Sequence, residues 1–387
     1  MSAPLHLSLI AGEASGDQLG ATLMAGLTTL RPGTTFSGVG GPLMAAEGLD
    51  SLFPMQDLSV MGLAEVLPHL PRLIRRLGQA TEHVLTTRPD ALITIDAPDF
   101  SLRVTGRVKA RQPSLPTIHY VAPSVWAWRP GRAARMARHI DHVLALLPFE
   151  PPYMTAAGMT CDFVGHPVAA WPQPDPAACD AFRAELGLGE GPLLLLAPGS
   201  RRGEIARMWP AFAEVVRRLR AGAPDLHVCV PVAPGVRSDL LTRLPALGPA
   251  IHTLLPEEGE GRKRLAFAAA DAALVTSGTV ALEMAAAGTP HVSCYRTGAL
   301  TAAIVRRLLK IDTAHLVNLV LEERLVPECL QEDCTPEQIL AALGPLLVAG
   351  PARVHQSDGF DRALQALGRG GEAPGLRAAH SVLRALG

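Results

Sequence analysis

Short apolar segments alternate with longer segments of helical periodicity along most of the chain. In the first half, the pattern predicts strands at residues 5–12, 35–41, 91–98, 117–123 and 142–148, with helical segments between them. Strands that are separated by helix-length connections are typical of a parallel sheet covered on both faces. The first half is therefore predicted to be a Rossmann-like domain.

The same alternation starts again after a proline-rich passage. Residues 165–180 contain prolines that continue neither a strand nor a helix, which indicates a linker. Further strands are predicted at residues 193–200, 227–234, 251–256, 272–279 and 291–296. We therefore predict an α/β chain of two Rossmann-like domains, residues 1–168 and 169–345, that face a central cleft. Residues 346–387 are predicted to form a helical tail that packs back on the first domain.

Composition narrows the classes of function. With 48% hydrophobic and 18% charged residues, the chain is expected to fold. The 35 Lys and Arg residues nearly balance the 36 Asp and Glu residues, so nucleic acid is not expected as a partner. The six cysteines are scattered, which indicates a reducing cytosol and neither a disulfide framework nor a bound metal. The first residues fit a buried strand better than a secretory signal, and no apolar run is long enough to span a membrane.

The loops that follow the strands are the candidate ligand sites, because ligands of open parallel sheets bind beyond the carboxyl ends of the strands. Ser277, Gly278 and Thr279 lie where a strand passes directly into a helix. Backbone amides and the helix dipole favour a diphosphate at such a turn. Glu283, one turn further on, could accept hydrogen bonds from ribose hydroxyls. In the alternative interpretation, Ser277 and Thr279 cap the helix and Glu283 interacts with its dipole.

A second candidate loop, residues 197–205, contains Ser200 and Arg201 directly after a strand. A guanidinium at this place could bind the diphosphate and stabilise the charge of the leaving group. Alternatively, Arg201 and Arg202 are solvated surface residues.

The first strand of the chain ends in a loop with small and acidic residues. Glu13, Ser15 and Gly16 of this loop either lie against the acceptor or shape a turn and cap the next helix. The dinucleotide fingerprint G-x-G-x-x-G is absent from this loop, which argues against an oxidoreductase.

Asp96 ends a strand rich in β-branched residues and is the candidate general base. A sugar hydroxyl that attacks an anomeric carbon needs a base on the side opposite the leaving diphosphate, and a carboxylate in the other domain supplies it. Asp99, three residues later, is either the base in its place or a helix cap.

An amphipathic segment at residues 58–78 has apolar residues at three-to-four-residue spacing and arginines toward one end. This pattern is typical of a helix that lies on a membrane or of one that packs on its own core. Pro68 and Pro71 predict that this helix is broken. Residues 124–138 combine two tryptophans, one of them Trp126, with four arginines. This combination is typical of a contact with lipid headgroups. Alternatively, the tryptophans lie in the core and the arginines form a solvated helix face.

Ten segments carry a resemblance to a known family. In order along the chain they are IAGEASGD, GVGGPLM, VMGLAEVL, IDAPDF, IHYVAPSVWAWR, LPFE, FVGHP, PGSR, SGTVALE and LVPECLQEDCTPE. The same segments occur in this order and at this spacing in lipid-A-disaccharide synthases. Over roughly residues 5–345 the chain thus resembles glycosyltransferase family 19, whose members have the GT-B fold.

The resemblance implies an activity and a location. It implies transfer of 2,3-diacylglucosamine from UDP to the 6-hydroxyl of 2,3-diacylglucosamine 1-phosphate (lipid X), with inversion, which gives lipid A disaccharide 1-phosphate and UDP. It also implies an enzyme without a metal or another cofactor, peripheral on the inner, cytoplasmic face of the cytoplasmic membrane. A monomer and a homodimer are both compatible with the sequence.

The resemblance also assigns roles to residues. Asp96 matches the base, and Glu13 and Arg201 are further candidate catalytic residues. The residues that match the donor site are Ser200, Arg201, Ser277, Gly278, Thr279, Glu283 and Asn318. The residues expected at the acceptor and its acyl chains are Ser15, Gly16, Met61, Leu63, Val66, Leu67 and Trp126. One departure lies at the donor site, where the chain reads His315, Leu316, Val317 before the asparagine and the family usually has Ser, Leu, Pro.

Two other interpretations are compatible with the same residues. A related GT-B UDP-sugar transferase or epimerase with a different acceptor would share the fold, since a fold does not determine a function. A paralogue that binds nucleotide or lipid without turnover would be expected to lack the base, whereas Asp96 is present.

Overall fold

The computed structural model divides into two compact units. The first contains Met1–Ala170 and Leu367–Gly387, and the second contains Trp171–Ala366. The structure describes residues 4–58, 63–129, 131–173, 175–276, 278–298 and 311–387. For residues 63–68 and 234 it describes the backbone and not the side chains.

Six parallel strands form the sheet of the first unit, in the order β2-β1-β3-β4-β5-β6. These strands are β1 His6–Ala11, β2 Thr35–Val39, β3 Ala91–Ile95, β4 Thr117–Tyr120, β5 His142–Ala145 and β6 Thr160–Phe163. The helices that connect them are α1 Ala14–Leu30, α2 Pro42–Ala46, α3 Leu63–Thr87, α4 Pro98–Arg111, α5 Gly131–Met136 and α6 Pro151–Thr155. Strand β3 is buried at every position, as expected for a parallel sheet that is covered on both faces.

A second six-stranded parallel sheet forms the second unit, in the order β12-β11-β10-β7-β8-β9. Its strands are β7 Leu193–Ala197, β8 His227–Pro231, β9 Ile251–Leu254, β10 Ala272–Thr276, β11 His291–Tyr295 and β12 Glu328–Leu330. Its described helices are α7 Pro176–Glu185, α8 Arg202–Gly222, α9 Arg237–Arg243, α10 Gly259–Ala269, α11 Thr279–Ala286, α12 Leu316–Leu321, α13 Pro336–Leu347 and α14 Pro351–Ala366. The central strands β7 and β10 are buried throughout.

The last helix, α15 Pro374–Leu386, packs against α1 of the first unit. The two helices approach closely, because a Cβ on Gly26 would lie only 2.7 Å from the carbonyl oxygen of Gly375. A Cβ on Gly375 would lie 2.5 Å from the carbonyl oxygen of Thr22. The two glycines therefore permit the crossing that fixes the C-terminal helix to the first unit.

The structure confirms the prediction of an α/β chain with two Rossmann-like parallel sheets. Strands are found at the predicted places, and β6 and β12 are added to them. Helix α14 packs within the second unit, so only residues 367–387 of the predicted tail return to the first. The proline-rich passage ends earlier than predicted, since α7 begins at Pro176 behind the N-cap Asp175. The predicted cleft between the two domains stays a prediction.

Helix α3 continues through both of its prolines, so the predicted break at Pro68 and Pro71 is wrong. Each proline removes one N–H donor from the helix, but about four turns of uninterrupted helix follow Pro71 and pack on the unit. None of the helices in the described ranges combines the length and the apolar character that crossing a bilayer requires.

Candidate functional site

A cavity of about 480 Å³ lies in the second unit, beyond the carboxyl ends of its strands. Five of the predicted donor-site residues line it together, namely Ser200, Arg201, Gly278, Thr279 and Glu283. Further lining residues include Gly199, Glu204, Pro231, Leu255, Glu258, Lys263, Phe267 and Thr276. The cavity thus lies where ligands of open parallel sheets bind, and it combines apolar walls with charged side chains.

The turn between β10 and α11 forms one wall of this cavity. Gly278 is the N-cap residue of α11 and has a φ of 144°, which is accessible to glycine and strained for other residues. Its lack of a side chain leaves the N-terminal end of α11 without a side-chain cap from this position. Thr279 begins the helix and is exposed to the cavity. The helix therefore directs its positive dipole end at the cavity. The predicted Ser277 lies outside the described residues.

Glu283 lies one turn into α11 and forms an ion pair with Lys263 of α10. The Lys263 Nζ lies 3.1 Å from Glu283 Oε1. Burial raises the pKa of the Glu283 carboxyl, and the charge of Lys263 partly opposes this. Lys263 thus favours the ionised carboxylate that could accept hydrogen bonds from hydroxyl groups.

Glu204 fixes the loop that presents Arg201. Its Oε1 lies 3.2 Å from Arg201 Nη1, and its Oε2 accepts a hydrogen bond of 3.3 Å from Ser200 N. Gly199 has a φ of 119°, and a Cβ there would lie 2.8 Å from the Glu204 Cβ. Arg201 remains largely exposed, with 64% of its side chain accessible. The loop therefore holds an exposed guanidinium at the cavity wall.

Asn318 is not among the residues that line the cavity. Its side chain is buried and bonds to the backbone of Val326, with Nδ2 2.9 Å from the carbonyl oxygen and Oδ1 2.8 Å from the amide nitrogen. Next to it, His315 Nδ1 accepts a hydrogen bond of 3.2 Å from Val317 N and so caps α12. The imidazole therefore satisfies one of the free N–H groups at the helix N-terminus, a bond that requires a residue other than proline at position 317.

In the first unit, the loops after β1 and β3 come together. Ser15 Oγ donates a hydrogen bond of 3.4 Å to Asp96 Oδ2. The two loops approach each other so closely that a Cβ on Gly12 would lie 2.5 Å from the Cβ of Ala97. Glu13 is the N-cap residue of α1 in the same loop, and Gly16 is buried against the end of β3. The predicted catalytic and acceptor residues of these two loops are thus neighbours.

The turn that carries Asp96 is strained. Asp96 and Ala97 have φ angles of 51° and 44°, a left-handed conformation that residues with a Cβ adopt rarely. Asp96 Oδ1 stabilises it by accepting a hydrogen bond of 2.9 Å from Ala97 N. Asp99, by contrast, is fully exposed and lies 3.7 Å from Arg132 Nη2. The fixed carboxylate of this turn is that of Asp96.

Trp126 lies in the loop after β4 and is half-buried. Its indole Nε1 donates a hydrogen bond of 3.2 Å to Glu150 Oε1, and its ring meets that of Phe149 edge to face. Of the other predicted lipid-contacting residues, Met61 lies outside the described residues. Leu63, Val66 and Leu67 belong to α3, where the structure describes only their backbone.

The sequence alone did not indicate three residues of these sites, namely Lys263, Glu150 and Glu204. The contacts of Lys263 with Glu283 and of Glu150 with Trp126 join residues that are 20 and 24 positions apart, so no local pattern indicates them. Glu204 could have been found, because it follows Arg201 by three residues at a helix start, where such pairs meet. Within the described ranges, no group of three or more His, Cys, Asp or Glu residues is arranged to hold a metal ion.

The chain matches the sequence profile of the family described as lipid-A-disaccharide synthetase over residues 7–372. It is 54% identical to the lipid-A-disaccharide synthase of Ruegeria pomeroyi over 385 residues, which are 98% of this chain and 95% of that protein. It is 47% identical to the enzyme of the same name from Rhodospirillum centenum, over 99% of this chain and 95% of that protein.

Solved structures with the same fold are more distant in sequence. The UDP-GlcNAc 2-epimerase of Methanocaldococcus jannaschii, crystallised with UDP-GlcNAc and UDP, matches with a TM-score of 0.60 and 12% identity, over 98% of this chain and 99% of that one. MurG of Acinetobacter baumannii matches with a TM-score of 0.57 and 15% identity, over 96% and 97% of the two chains. These likenesses concern the fold, and they confirm the predicted GT-B class.

Proposed function

The chain belongs to the lipid-A-disaccharide synthase family, glycosyltransferases of lipid A biosynthesis, and on this premise we propose that it condenses UDP-2,3-diacylglucosamine with 2,3-diacylglucosamine 1-phosphate. The products are lipid A disaccharide 1-phosphate and UDP. The observation that carries this proposal is the charged cavity of the second unit, in which five predicted donor-site residues meet.

The donor half of the proposal concerns UDP. Its diphosphate would accept hydrogen bonds from the backbone at Gly278 and Thr279, where the dipole of α11 is positive. Arg201 at the cavity wall would neutralise the charge that grows on the diphosphate as the sugar leaves. The Glu283 carboxylate, whose ionised form Lys263 favours, would bind the ribose hydroxyls. Solved structures of the same fold contain UDP, which supports a nucleoside diphosphate as the ligand.

The acceptor half concerns Asp96. In this proposal its carboxylate removes the proton from the 6-hydroxyl of the acceptor as the oxygen attacks the anomeric carbon, opposite the departing diphosphate. The bond from the anomeric carbon to the acceptor oxygen forms as the bond to the diphosphate oxygen breaks, so the configuration at that carbon inverts. The hydrogen bonds from Ser15 and Ala97 hold the carboxylate in one orientation for this step. Glu13, in the same loop as Ser15, is proposed to contact the acceptor.

We propose that the protein itself supplies the positive charge that stabilises the departing diphosphate. Helix dipole, Arg201 and Lys263 provide positive charge around one cavity, which is the role that a divalent cation has in other transferases. These groups support transfer without a metal.

The charge distribution of the first unit supports a location on an anionic membrane face. Residues 72–138 contain 12 Lys and Arg but only four Asp and Glu. On α4, Arg103, Arg107 and Arg111 are exposed and recur every fourth residue, so they share one face. On the adjacent α3, Leu70 and Ile74 are 41% and 54% exposed. Cations beside exposed apolar side chains favour lipid headgroups over open solution.

A transferase assay with purified protein tests the proposed function. The protein is incubated with the diacylated UDP-sugar and the diacylated sugar phosphate, and in parallel with UDP-N-acetylglucosamine alone. We expect a disaccharide phosphate and one UDP per disaccharide from the first mixture and no change in the second. No disaccharide in the first mixture, or an epimerised sugar nucleotide in the second, would contradict the proposal.

A further inference from the structure

A buried carboxyl group outside the donor cavity connects two loops of the first unit. Glu150 is 3% exposed and follows β5, at the N-terminus of α6. Its Oε1 accepts a hydrogen bond of 3.2 Å from Trp126 Nε1, in the loop after β4. Its Oε2 accepts a hydrogen bond of 3.0 Å from Leu147 N, in the loop after β5. Each oxygen of one carboxylate thus holds a different loop.

The surroundings of Glu150 provide no counter-charge. Among the described residues, it forms no ion pair, and Phe149 packs edge to face on the Trp126 ring with 5.2 Å between the ring centroids. Cys161 of β6 is close enough for the charge of Glu150 to act on it, since its thiol pKa is raised by burial first and then by Glu150 and Asp162. Burial raises the pKa of Glu150 to about 7, against the smaller opposing effect of its hydrogen bonds.

We infer that Glu150 is a positioning residue for the acceptor side: its carboxylate holds the Trp126 indole, and with it the loop after β4, in the conformation that receives the acylated acceptor. This inference rests on the proposed function, which places Trp126 at the acceptor. Sequence alone does not indicate it, because the two residues meet only through the parallel pairing of β4 and β5.

The two N–H donors explain why the charged form is needed. A carboxylate accepts at both oxygens, whereas a carboxylic acid presents a hydroxyl at one of them. In the neutral form that hydroxyl therefore faces an N–H donor, and one of the two hydrogen bonds is weakened or lost. A glutamine at this position creates the same conflict at every pH, since its amide offers one oxygen and one NH₂ group. Glu150→Gln therefore mimics the neutral acid at every pH.

The indole N–H of Trp126 reports on this contact without any substrate. The chain contains four tryptophans, so protein with ¹⁵N-labelled tryptophan gives few indole signals, and Trp126→Phe identifies the one in question. We expect this signal to shift with a midpoint near pH 7 in the native protein and to stay constant in Glu150→Gln. A signal that does not move across the neutral range, or that moves equally in Glu150→Gln, would overturn the inference.

Kinetics then separate positioning from a general loss of stability. Losing one hydrogen bond at the loop corresponds to an increase of about threefold to tenfold in the KM for the acceptor. We expect this increase in Glu150→Gln and in the native protein at low pH, with the KM for the UDP-sugar unchanged. The matched control is Glu47→Gln, which removes an exposed carboxyl of the same unit. An equal rise in both KM values, or the same effect in the control, would contradict a positioning role.

The two experiments distinguish two failures. If no disaccharide forms but the indole signal titrates as expected, the proposed function fails and the contact of Glu150 with Trp126 stands. If the disaccharide forms and the signal does not titrate, the inference about Glu150 fails alone.

Discussion

Lys263 Nζ lies 3.1 Å from Glu283 Oε1 within the cavity of the second unit. The pair joins α10 to the first turn of α11 and provides the proposed donor site with a cation and an anion side by side. Neither residue is near the other in the sequence, so their contact depends entirely on how these helices pack.

Removal of Lys263 is expected to weaken donor binding. In Lys263→Met, Glu283 loses the charge that opposes the effect of burial, so its pKa rises further and less carboxylate is available for the ribose hydroxyls. We expect the KM for the UDP-sugar to increase about tenfold, as for the loss of a charge-assisted hydrogen bond. The acid limb of the pH profile should move to higher pH. Steady-state kinetics across pH measure both effects.

The control for this variant is Arg243→Met, which removes a cation of α9 that pairs with Asp239 and does not line the cavity. An unchanged donor KM in Lys263→Met, or an equal increase in the control, would mean that Lys263 does not act on the donor.

Asp96 and Asp99 can be separated by matched amide substitutions. Because the base acts only in the reaction step, Asp96→Asn should lower kcat by about 10²-fold to 10⁴-fold and leave UDP binding unchanged. Asp99→Asn removes an exposed carboxylate and should stay within about threefold of the native rate. Initial rates together with calorimetric UDP titrations test this. The opposite ranking of the two variants would assign the base to Asp99.

The close approach of the loops after β1 and β3 predicts a site that tolerates no side chain at residue 12. In Gly12→Ala the new Cβ would lie 2.5 Å from Ala97 Cβ, so the turn that carries Asp96 must shift. We expect a loss of about 1–3 kcal/mol in the free energy of unfolding, which is typical of overpacking, and a larger relative loss of kcat. Denaturant unfolding and initial rates measure both.

Gly78→Ala is the comparison for this substitution. A Cβ at Gly78 meets no atom within 4 Å, and the residue lies inside α3, so this variant should be as stable as the native protein or slightly more stable. If Gly12→Ala behaved in the same way, the two loops would not be in the described contact.

Buried histidines predict that the folded state becomes less stable in weak acid. Burial lowers the pKa of His119, His166 and His291 to about 4, and that of His315 is lowered as well. Because the unfolded chain binds protons at a higher pH than the folded chain, their contribution is complete above about pH 6.5 and is lost as the pH falls toward 4. Each neutral histidine then contributes up to about 1.4 kcal/mol per pH unit.

Urea unfolding at several pH values in this range measures that loss. Glu150 has the opposite sign, since its raised pKa means that the folded state loses stability as the pH rises through about 7. Because four histidines outweigh one carboxyl, we expect the free energy of unfolding to rise from about pH 4 to about pH 6.5 and to change little above about pH 7. A free energy of unfolding that is constant from pH 7 to 4.5 would contradict the buried, neutral state of these histidines.

Contact with anionic lipid is predicted to depend on the arginine face of α4. The double variant Arg103→Ala/Arg107→Ala should bind vesicles of phosphatidylglycerol about thirtyfold more weakly, since each of the two cations contributes on the order of 1 kcal/mol near the surface. Sedimentation with vesicles at low and moderate salt measures the binding. Arg237→Ala/Arg243→Ala on α9 is the control of equal charge, and equal losses in the two double variants would mean that the face is not specific.

Much of the fold follows from local pattern. The strands β3, β7 and β10 are continuous apolar runs, and such runs separated by helical segments predict parallel sheets before any contact is known. Loops that follow those strands could be predicted as sites for the same reason, and Arg201, Gly278 and Glu283 do line one cavity.

The parts that could not be predicted depend on tertiary packing. The contact of Lys263 with Glu283 and that of Glu150 with Trp126 each join two elements whose sequences contain no hint of the partner. The role of His315 as a helix cap was also hidden, because an imidazole is an uncommon substitute for a serine at this position. Helix α3 shows the reverse, since packing keeps it continuous where its prolines predicted a break.

We propose that the diphosphate of the donor binds at the N-terminus of α11 in the second unit, and a crystal structure of the protein with UDP would decide this. We expect the diphosphate within hydrogen-bond distance of the backbone of Gly278 and Thr279, the Arg201 guanidinium beside it, and the ribose at Glu283. UDP bound elsewhere, with this turn unoccupied, would contradict it.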